Sequence, residues 1–319
     1  MQIPRIVLER AADVCGARTT GSVVGRRLTR WLLVLIVCIL PVARPVHAHQ
    51  DIEEQIADVT RRIATDSDDA RLYLRRGELH RIHEDWPAAL ADYDRARRLD
   101  TELDIVDFCV GRVQLEAGEP RSALRSLDRF LARKPRHPEA LLLRGRAHAR
   151  LGQWRAAATD YDRAISRSVE HGYRPAPETF IERAKVLKSA GPEHHARALG
   201  GLEEGIDLLG GPVVLELAAL EMERILGRTD DALARLDRLA AGAVRPEPWL
   251  VQRGEILETA GRLTEARQAY GLALDALETL PVHRRNVTAM IRWERHAREA
   301  VVRLETADGF PVRRESPDE

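Results

Sequence analysis

The residues best suited to chemistry are histidines that stand beside acidic side chains. His80 and His83 are three residues apart and precede Glu84 and Asp85, a spacing that would let two imidazoles on one helical turn share a metal ion. However, His80 occupies a position of the repeat that holds Gln114 and His148 in the next two repeats, which marks it as a packing position. We therefore interpret His80 as a packing residue and predict no metal site.

The remaining candidates for chemistry are weaker still. The adjacent residues His194 and His195 cannot both point at one site from a regular helix, and His49 would become a copper-chelating N-terminus only with a second ligand that the sequence does not identify. No segment matches a Gly-rich phosphate loop, a nucleophile elbow, a paired zinc knuckle or a metalloprotease helix. The sequence predicts no catalytic residue, no cofactor and no enzymatic activity.

Arginine supplies nearly all the positive charge, since lysine occurs only at Lys134, Lys185 and Lys188. Two arginines are followed sixteen residues later by an aspartate, giving the pairs Arg76 with Asp92 and Arg144 with Asp160. Between these pairs, the equivalent positions hold Val110 and Ser126. Because both partners are lost together, we predict that each arginine forms a structural bidentate ion pair with its aspartate. Arg253 lacks such a partner, because the position opposite holds Ala269.

These residues belong to a repeat of 34 residues. The columns are Gly77, Gly111 and Gly145; Trp86, Pro120 and Trp154; Ala89, Ala123 and Ala157; Tyr93, Leu127 and Tyr161; and Ala96, Phe130 and Ala164. With turn glycines at Gly118 and Gly152, the pattern resembles the tetratricopeptide repeat. The resemblance implies two antiparallel helices per repeat, with small residues allowing their close approach.

The pattern returns with altered spacing at Gly254, Gly261, Ala266, Tyr270 and Ala273. We expect about five inserted residues in the loop 173–177 and about two in the turn 191–195. The predicted fold is all-α, a right-handed α-solenoid of antiparallel helix pairs with N- and C-terminal capping helices. Its segments are a cap at 49–69, six pairs at 70–103, 104–137, 138–171, 177–212, 213–246 and 247–280, a cap at 281–305 and a flexible tail at 306–319.

In tetratricopeptide repeat proteins the first helix of each pair lines a concave groove that binds peptides, so the resemblance implies a groove here. An apolar column would contain Leu74, Phe108, Leu142, Ile181, Leu217 and Val251, and a charged column Glu78, Arg112, Arg146, Lys185, Glu221 and Glu255. Arg71, Arg75 and Arg150 extend its basic part. The terminal-carboxylate clamp of chaperone-binding members is not expected, because its places hold Leu74, Glu78, Cys109, Glu139 and Leu143.

The first 48 residues resemble a secretory signal. A basic cluster precedes the ten apolar residues 31–40, and residues 46–48 read Val-His-Ala. Ten residues are too few to span a bilayer, so we expect cleavage after Ala48, a periplasmic or other extracytoplasmic location and no membrane span afterwards. Cys109 would then be the single thiol, a small apolar packing residue.

Residues 49–319 contain 43 basic and 48 acidic side chains, and this acidic balance disfavours nucleic-acid binding. The sequence favours a non-catalytic scaffold that binds a protein or peptide. The alternatives are a self-associating homo-oligomer, which would use Trp293 of the last helix, and an accessory subunit of an envelope enzyme or transport complex.

Overall fold

The computed structural model describes residues 46–243 and 245–307, and every regular element in these ranges is a helix. Fifteen α-helices and one short 3₁₀ helix occur there, with no strand in the described part of the chain. The predicted all-α solenoid class is confirmed. Residues 1–45 of the predicted leader 1–48 and residues 308–319 of the predicted tail 306–319 lie outside the described residues, whereas residues 46–48 and 306–307 are helical.

Two helices lie within each of the six predicted repeat ranges. The pairs are α2 (Ala70–Ile82) and α3 (Trp86–Leu99), α4 (Ile105–Glu116) and α5 (Pro120–Arg133), α6 (Pro138–Arg150) and α7 (Trp154–Glu170), α8 (Pro177–Ala190) and α9 (His195–Leu209), α10 (Val213–Ile225) and α11 (Thr229–Ala241), and α12 (Glu247–Thr259) and α13 (Leu263–Glu278). Helix α1 (Val46–Thr65) precedes them.

The C-terminal cap predicted as one helix is two helices, α14 (Val282–Arg285) and α15 (Thr288–Ala307). Asn286 ends α14 and the β-branched Val287 follows it, two residues of low helix propensity that favour a break. Helix α15 packs on α12 and α13, with Met290, Ala297 and Leu304 buried. It thereby covers the apolar end that a solenoid would otherwise expose.

Small residues set the helix crossings, as the spacing predicts. A methyl group on Gly77 would lie 2.6 Å from the Tyr93 ring, and one on Gly254 would lie 2.6 Å from the Tyr270 ring. Both tyrosines are fully buried. An alanine at either glycine would therefore force the paired helices apart, and this explains why the first helix carries glycine where it faces the aromatic ring.

The turn within each pair needs one residue with a left-handed backbone. Gly118 and Gly152 occupy this position with φ of 81° and 70°. In the first pair the same position is Glu84, whose φ is 62° and which is the described non-glycine residue with positive φ. The first turn therefore holds a side chain in a conformation that glycine adopts at lower cost.

The predicted arginine–aspartate pairs are confirmed. Arg76 donates to both carboxylate oxygens of Asp92 at 2.8 and 2.7 Å, and Arg144 does the same to Asp160 at the same distances. Arg144 also donates to Asp128 of the preceding pair at 2.9 Å. Each of these arginines therefore fixes α3 or α7 against its partner helix.

The structure supplies the partner that the sequence did not give for Arg253. Its guanidinium donates to Asp237 at 2.6 Å, sixteen residues earlier in the chain, just as Arg144 donates to Asp128. Arg253 thus keeps the contact to the preceding pair and lacks the contact within its own pair, where Ala269 stands.

Pairs four and five use buried arginines that sequence reasoning missed. Arg183 donates to the Gly201 carbonyl at 2.6 Å and to Glu204 at 2.7 Å. Arg235, on the second helix of pair five, donates to both oxygens of Glu223 on the first helix, so the basic residue lies on the second helix rather than on the first. The sequence could have indicated this pair, because Glu223 occupies the same repeat position in pair five that His80 occupies in pair one.

The inserted residues between pairs three and four are only partly a loop. Helix α7 has 17 residues, whereas α3 and α5 have 14 each, so three of the expected five extend the helix. The linker 171–176 accounts for the rest. Inside pair four, the 3₁₀ turn Pro192–His194 occupies the expected expansion.

Candidate functional site

The two predicted columns lie on the first helices of the six pairs, and each first helix contributes one residue to each column. In the apolar column, Leu74, Leu142 and Ile181 are half-buried and Leu217 is exposed. Two members are corrected: Phe108 and Val251 are buried. Phe108 packs against the rings of Phe130 and His137, with centroids 5.4 and 5.3 Å away, so neither member is accessible to a partner.

The basic middle of the charged column is engaged in ion pairs between successive repeats. Arg112 donates to Glu78 of the preceding first helix at 2.5 Å, and Arg146 donates to Glu182 of the following first helix at 2.9 Å. The Arg112 guanidinium also lies 5.3 Å from the Phe108 ring centroid. These ion pairs connect the first helices of successive repeats.

Glu78 is the most connected acidic residue on this face. It accepts hydrogen bonds from Tyr93, Arg112 and Arg81. Burial opposes its ionisation, but the Tyr93 hydroxyl and the two arginines outweigh burial and lower the pKa of Glu78 below its ordinary value. The carboxylate therefore stays charged and holds the first two repeats together.

The thiol of Cys109 lies in the same environment. Burial, followed by the charge of Glu78, raises the pKa of Cys109 to about 12. A thiol with this pKa is neutral at physiological pH and is a poor nucleophile. Its packing among buried residues fits the apolar role predicted for it.

The flanking basic residues divide into two groups. Arg150 donates to the Leu115 carbonyl of the preceding repeat. By contrast, the Arg71 and Arg75 side chains are exposed and make no ion pair with a described residue. Only the second group presents free positive charge at the N-terminal end of the face.

The predicted acidic end is covered in part by the C-terminal cap. His296 Nε2 lies 3.2 Å from Glu255, and Arg303 donates to Glu258 at 2.8 Å. Both partners belong to α15. The acidic residues of α12 therefore attach the cap, and this contradicts their predicted place in an open groove.

The accessible part of the face lies on α8 and α10. The ammonium group of Lys185 is exposed and has no partner among the described residues, and Lys188 lies 3.9 Å from Glu221. Leu217, one turn before Glu221, is 39% exposed, and Val213 and Val214 beside it are more exposed still. We call the set Lys185, Lys188, Val213, Val214, Leu217 and Glu221 the central patch.

Sequence reasoning included Lys185, Leu217 and Glu221 but missed the two valines. They lie outside the spacing of the buried residues Leu215, Ala219 and Met222 on α10. Apolar residues off the core spacing of a helix are a readable signal for exposure. The central patch thus combines apolar surface with charges of both signs.

The described part of the chain offers little support for other chemistry. Its histidine, cysteine and acidic side chains form no group of three that could hold a metal ion. His80 lies 3.9 Å from Asp92, and His148 lies 3.8 Å from Asp160, so both face the structural ion pairs. None of the helices described combines the length and apolar character that a bilayer span requires.

Comparison with known proteins supports the repeat assignment. A tetratricopeptide repeat family model matches residues 111–171 and 226–281, in pairs two to three and five to six. The chain therefore carries tetratricopeptide repeats in these two ranges. Tetratricopeptide repeats are typically non-catalytic scaffolds for protein–protein interaction.

One similar solved structure is that of PilW, which is titled a widely conserved type IV pilus biogenesis factor. PilW is 16% identical to this chain with a TM-score of 0.50, and the match covers 70% of this chain and 94% of PilW. A tetratricopeptide repeat protein from Parabacteroides merdae is 15% identical with a TM-score of 0.46 over 79% of this chain and 99% of its own. MamA from Desulfovibrio magneticus is 16% identical with a TM-score of 0.44 over 49% and 85%. At these identities the likeness concerns the fold alone. A search of curated proteins finds no match.

Proposed function

We propose that the chain is a non-catalytic scaffold that binds an extended or helical protein segment on the face formed by its first helices, centred on the central patch. The observation that carries the proposal is the exposure of Leu217 and Lys185, which lie one turn before Glu221 and Lys188, two residues 3.9 Å apart; Lys185 has no partner among the described residues. Apolar area that water would otherwise cover supplies affinity, and the nearby charges select the partner. The ligand that fits has apolar side chains with an acidic residue placed to meet Lys185.

The experiment compares two double variants in affinity capture from the native extracytoplasmic fraction. K185E/L217D reverses the free charge and removes the exposed apolar side chain of the central patch. R163E/L272D makes the same two changes on the second helices α7 and α13, where Arg163 has no described ion-pair partner and Leu272 is exposed. Reversing Arg112 or Arg146 would not isolate binding, because it would break ion pairs between repeats.

We expect a protein that is recovered with wild type and with R163E/L272D but not with K185E/L217D. Recovery with both variants would place the binding surface elsewhere. The far-ultraviolet circular dichroism and thermal midpoint of both variants should match wild type, because all four substituted side chains lie on the surface.

Self-association is a second candidate, favoured by exposed apolar residues on the last cap. Ile291 and Val302 are exposed on α15, while Trp293, the contact suggested by sequence, packs against the core. A dimer formed through this helix would dissociate in I291E/V302E, measured by sedimentation, and would persist in K185E/L217D. An accessory role in an envelope complex would differ only in the partner captured.

We further propose that the chain is exported and cleaved after Ala48. The basic cluster and short apolar run before that residue support the proposal. N-terminal sequencing of the protein from its native source should begin at His49. A chain that retains Trp31–Leu40 would argue for an uncleaved leader.

A further inference from the structure

A cavity of about 670 Å³ opens between pairs three and four, and none of its lining residues belongs to the central patch. Its apolar floor contains Pro138, Leu142, Ala164, Ile165 and Pro175. The volume falls in the range of pockets that bind small ligands, roughly 300–1,000 Å³, so it is larger than one side chain requires. Leu142 also belongs to the apolar column, so a segment lying along the first helices would pass the cavity.

The local sequence explains why a cavity forms here. The three added residues of α7, which begin at Ser168, extend it past the length of the second helices α3 and α5, and the linker 171–176 then leads to α8. Pro175 is buried and Pro177 begins α8, so two prolines fix the linker in an extended conformation. The linker forms one wall, and α6 forms the other.

The rim of the cavity carries charged side chains of both signs. Lys134, Arg136 and Arg174 line it, with Glu139 as the acidic member. Arg136 is paired with Glu170 at 2.6 Å and Lys134 lies 3.7 Å from Asp104, whereas Arg174 is exposed with no ion pair among the described residues.

His137 on the wall adds no charge. Its Nδ1 accepts a hydrogen bond from the Ala140 amide, and burial lowers its pKa. The rim therefore favours an anionic group through Arg174. Tyr173, exposed beside it, adds an aromatic surface at the mouth.

We infer that this cavity is a specificity pocket for a bulky apolar side chain of a bound peptide that carries an acidic residue within one or two positions of that side chain. The inference rests on the proposed function, since it specifies which segment the face binds. The apolar floor takes the side chain and Arg174 pairs with the neighbouring carboxylate. The linker supplies selectivity that a regular 34-residue repeat would lack.

The test uses a random dodecapeptide library displayed on phage and selected against the full chain. The most enriched peptide is synthesised, and its Kd is measured by fluorescence anisotropy. Two variants probe the pocket: A176W fills it from an exposed position on the linker, and R174E reverses the free rim charge. The matched control is R163E, which changes an exposed, unpaired arginine outside the pocket.

We expect enriched peptides that share a bulky apolar residue next to Asp or Glu, with a Kd at least tenfold weaker for A176W and R174E and unchanged for R163E. Enriched peptides that bind A176W and R174E as tightly as wild type, but lose affinity for K185E/L217D, would overturn the pocket and leave the proposed function standing. Enriched peptides indifferent to all of these variants, or no enrichment, would overturn both.

Discussion

The pair between Arg144 and Asp160 offers a stability test that the chain itself suggests. In pair two, the equivalent positions hold Val110 and Ser126, where Ser126 donates to Gln114 at 2.9 Å and no ion pair forms between the two positions. We therefore compare R144V, D160S and R144V/D160S. The single variant R144V leaves Asp160 with no guanidinium, whereas the double variant reproduces an arrangement that the fold already accommodates.

The magnitude follows from burial. The Asp160 side chain is 4% exposed and that of Arg144 is 18% exposed. Removing one partner of a fully buried pair costs about 3–5 kcal/mol. Partial exposure of Arg144 reduces this to about 2–4 kcal/mol for R144V, and the lost contact to the exposed Asp128 adds at most about 1 kcal/mol. Replacing both partners should recover about 1–3 kcal/mol.

The free energy of unfolding is measured by urea titration, followed by circular dichroism. Hydrogen exchange of the α6 and α7 amides locates the effect, because a repeat array can open locally. R163V, which removes an unpaired exposed arginine of α7, should change stability by less than about 0.5 kcal/mol. A double variant as unstable as the sum of the single variants would show that the two residues are not coupled and would refute the reasoning.

Three further predictions concern the first two repeats. Glu84→Gly should stabilise the protein by about 1 kcal/mol in urea titration, because it relieves a left-handed backbone, whereas Glu102→Gly at a turn without positive φ should not stabilise it. Because the pKa of Glu78 is lowered in the folded state, its stabilisation is present above the unfolded pKa and is lost as the pH falls through the folded pKa; Glu78→Gln should flatten the decline in unfolding free energy below about pH 4.5, and an unchanged slope would contradict this. With a pKa of about 12, Cys109 should react with iodoacetamide at least about a hundredfold more slowly than in urea, as followed by peptide mass spectrometry; equal rates would contradict its burial.

Much of the fold is predictable from the sequence because each repeat imposes the same close contacts. Gly77 must face Tyr93 as Gly254 faces Tyr270, so glycine recurs at this position of the first helix in pairs one, two, three and six. The joint loss at Val110 and Ser126 likewise indicated an arginine–aspartate pair. The pair of Arg235 with Glu223 was harder to foresee, because its residues are twelve positions apart with the acidic one first, so a search for an arginine sixteen residues before an aspartate does not find it.

The candidate site was less predictable than the fold. A column of residues one repeat apart looks like a continuous surface in sequence, yet helices 8–10 Å apart allow an arginine on one to reach a glutamate on the next. Arg112 and Glu78 meet in this way. The opposite charges of Arg112 and Glu78, one repeat apart, could have indicated this ion pair from the sequence. The covering of Glu255 by α15 depends on how the cap docks, and repeat spacing carries no information about that.

The cavity at the linker shows a similar limit. The altered repeat spacing predicts how many residues are inserted before α8. However, a count of inserted residues does not say how they divide between helix and loop. The extension of α7 to Glu170 and the burial of Pro175 together leave space beside α6 that no repeat position reveals.

The most direct test of the central claim is the capture experiment with K185E/L217D and its matched control R163E/L272D. A scaffold that binds through the first helices of pairs four and five should lose its partner only with the first variant, with both variants equally stable. Recovery of the same partner by wild type and both variants would contradict the account and place binding on another surface of the chain.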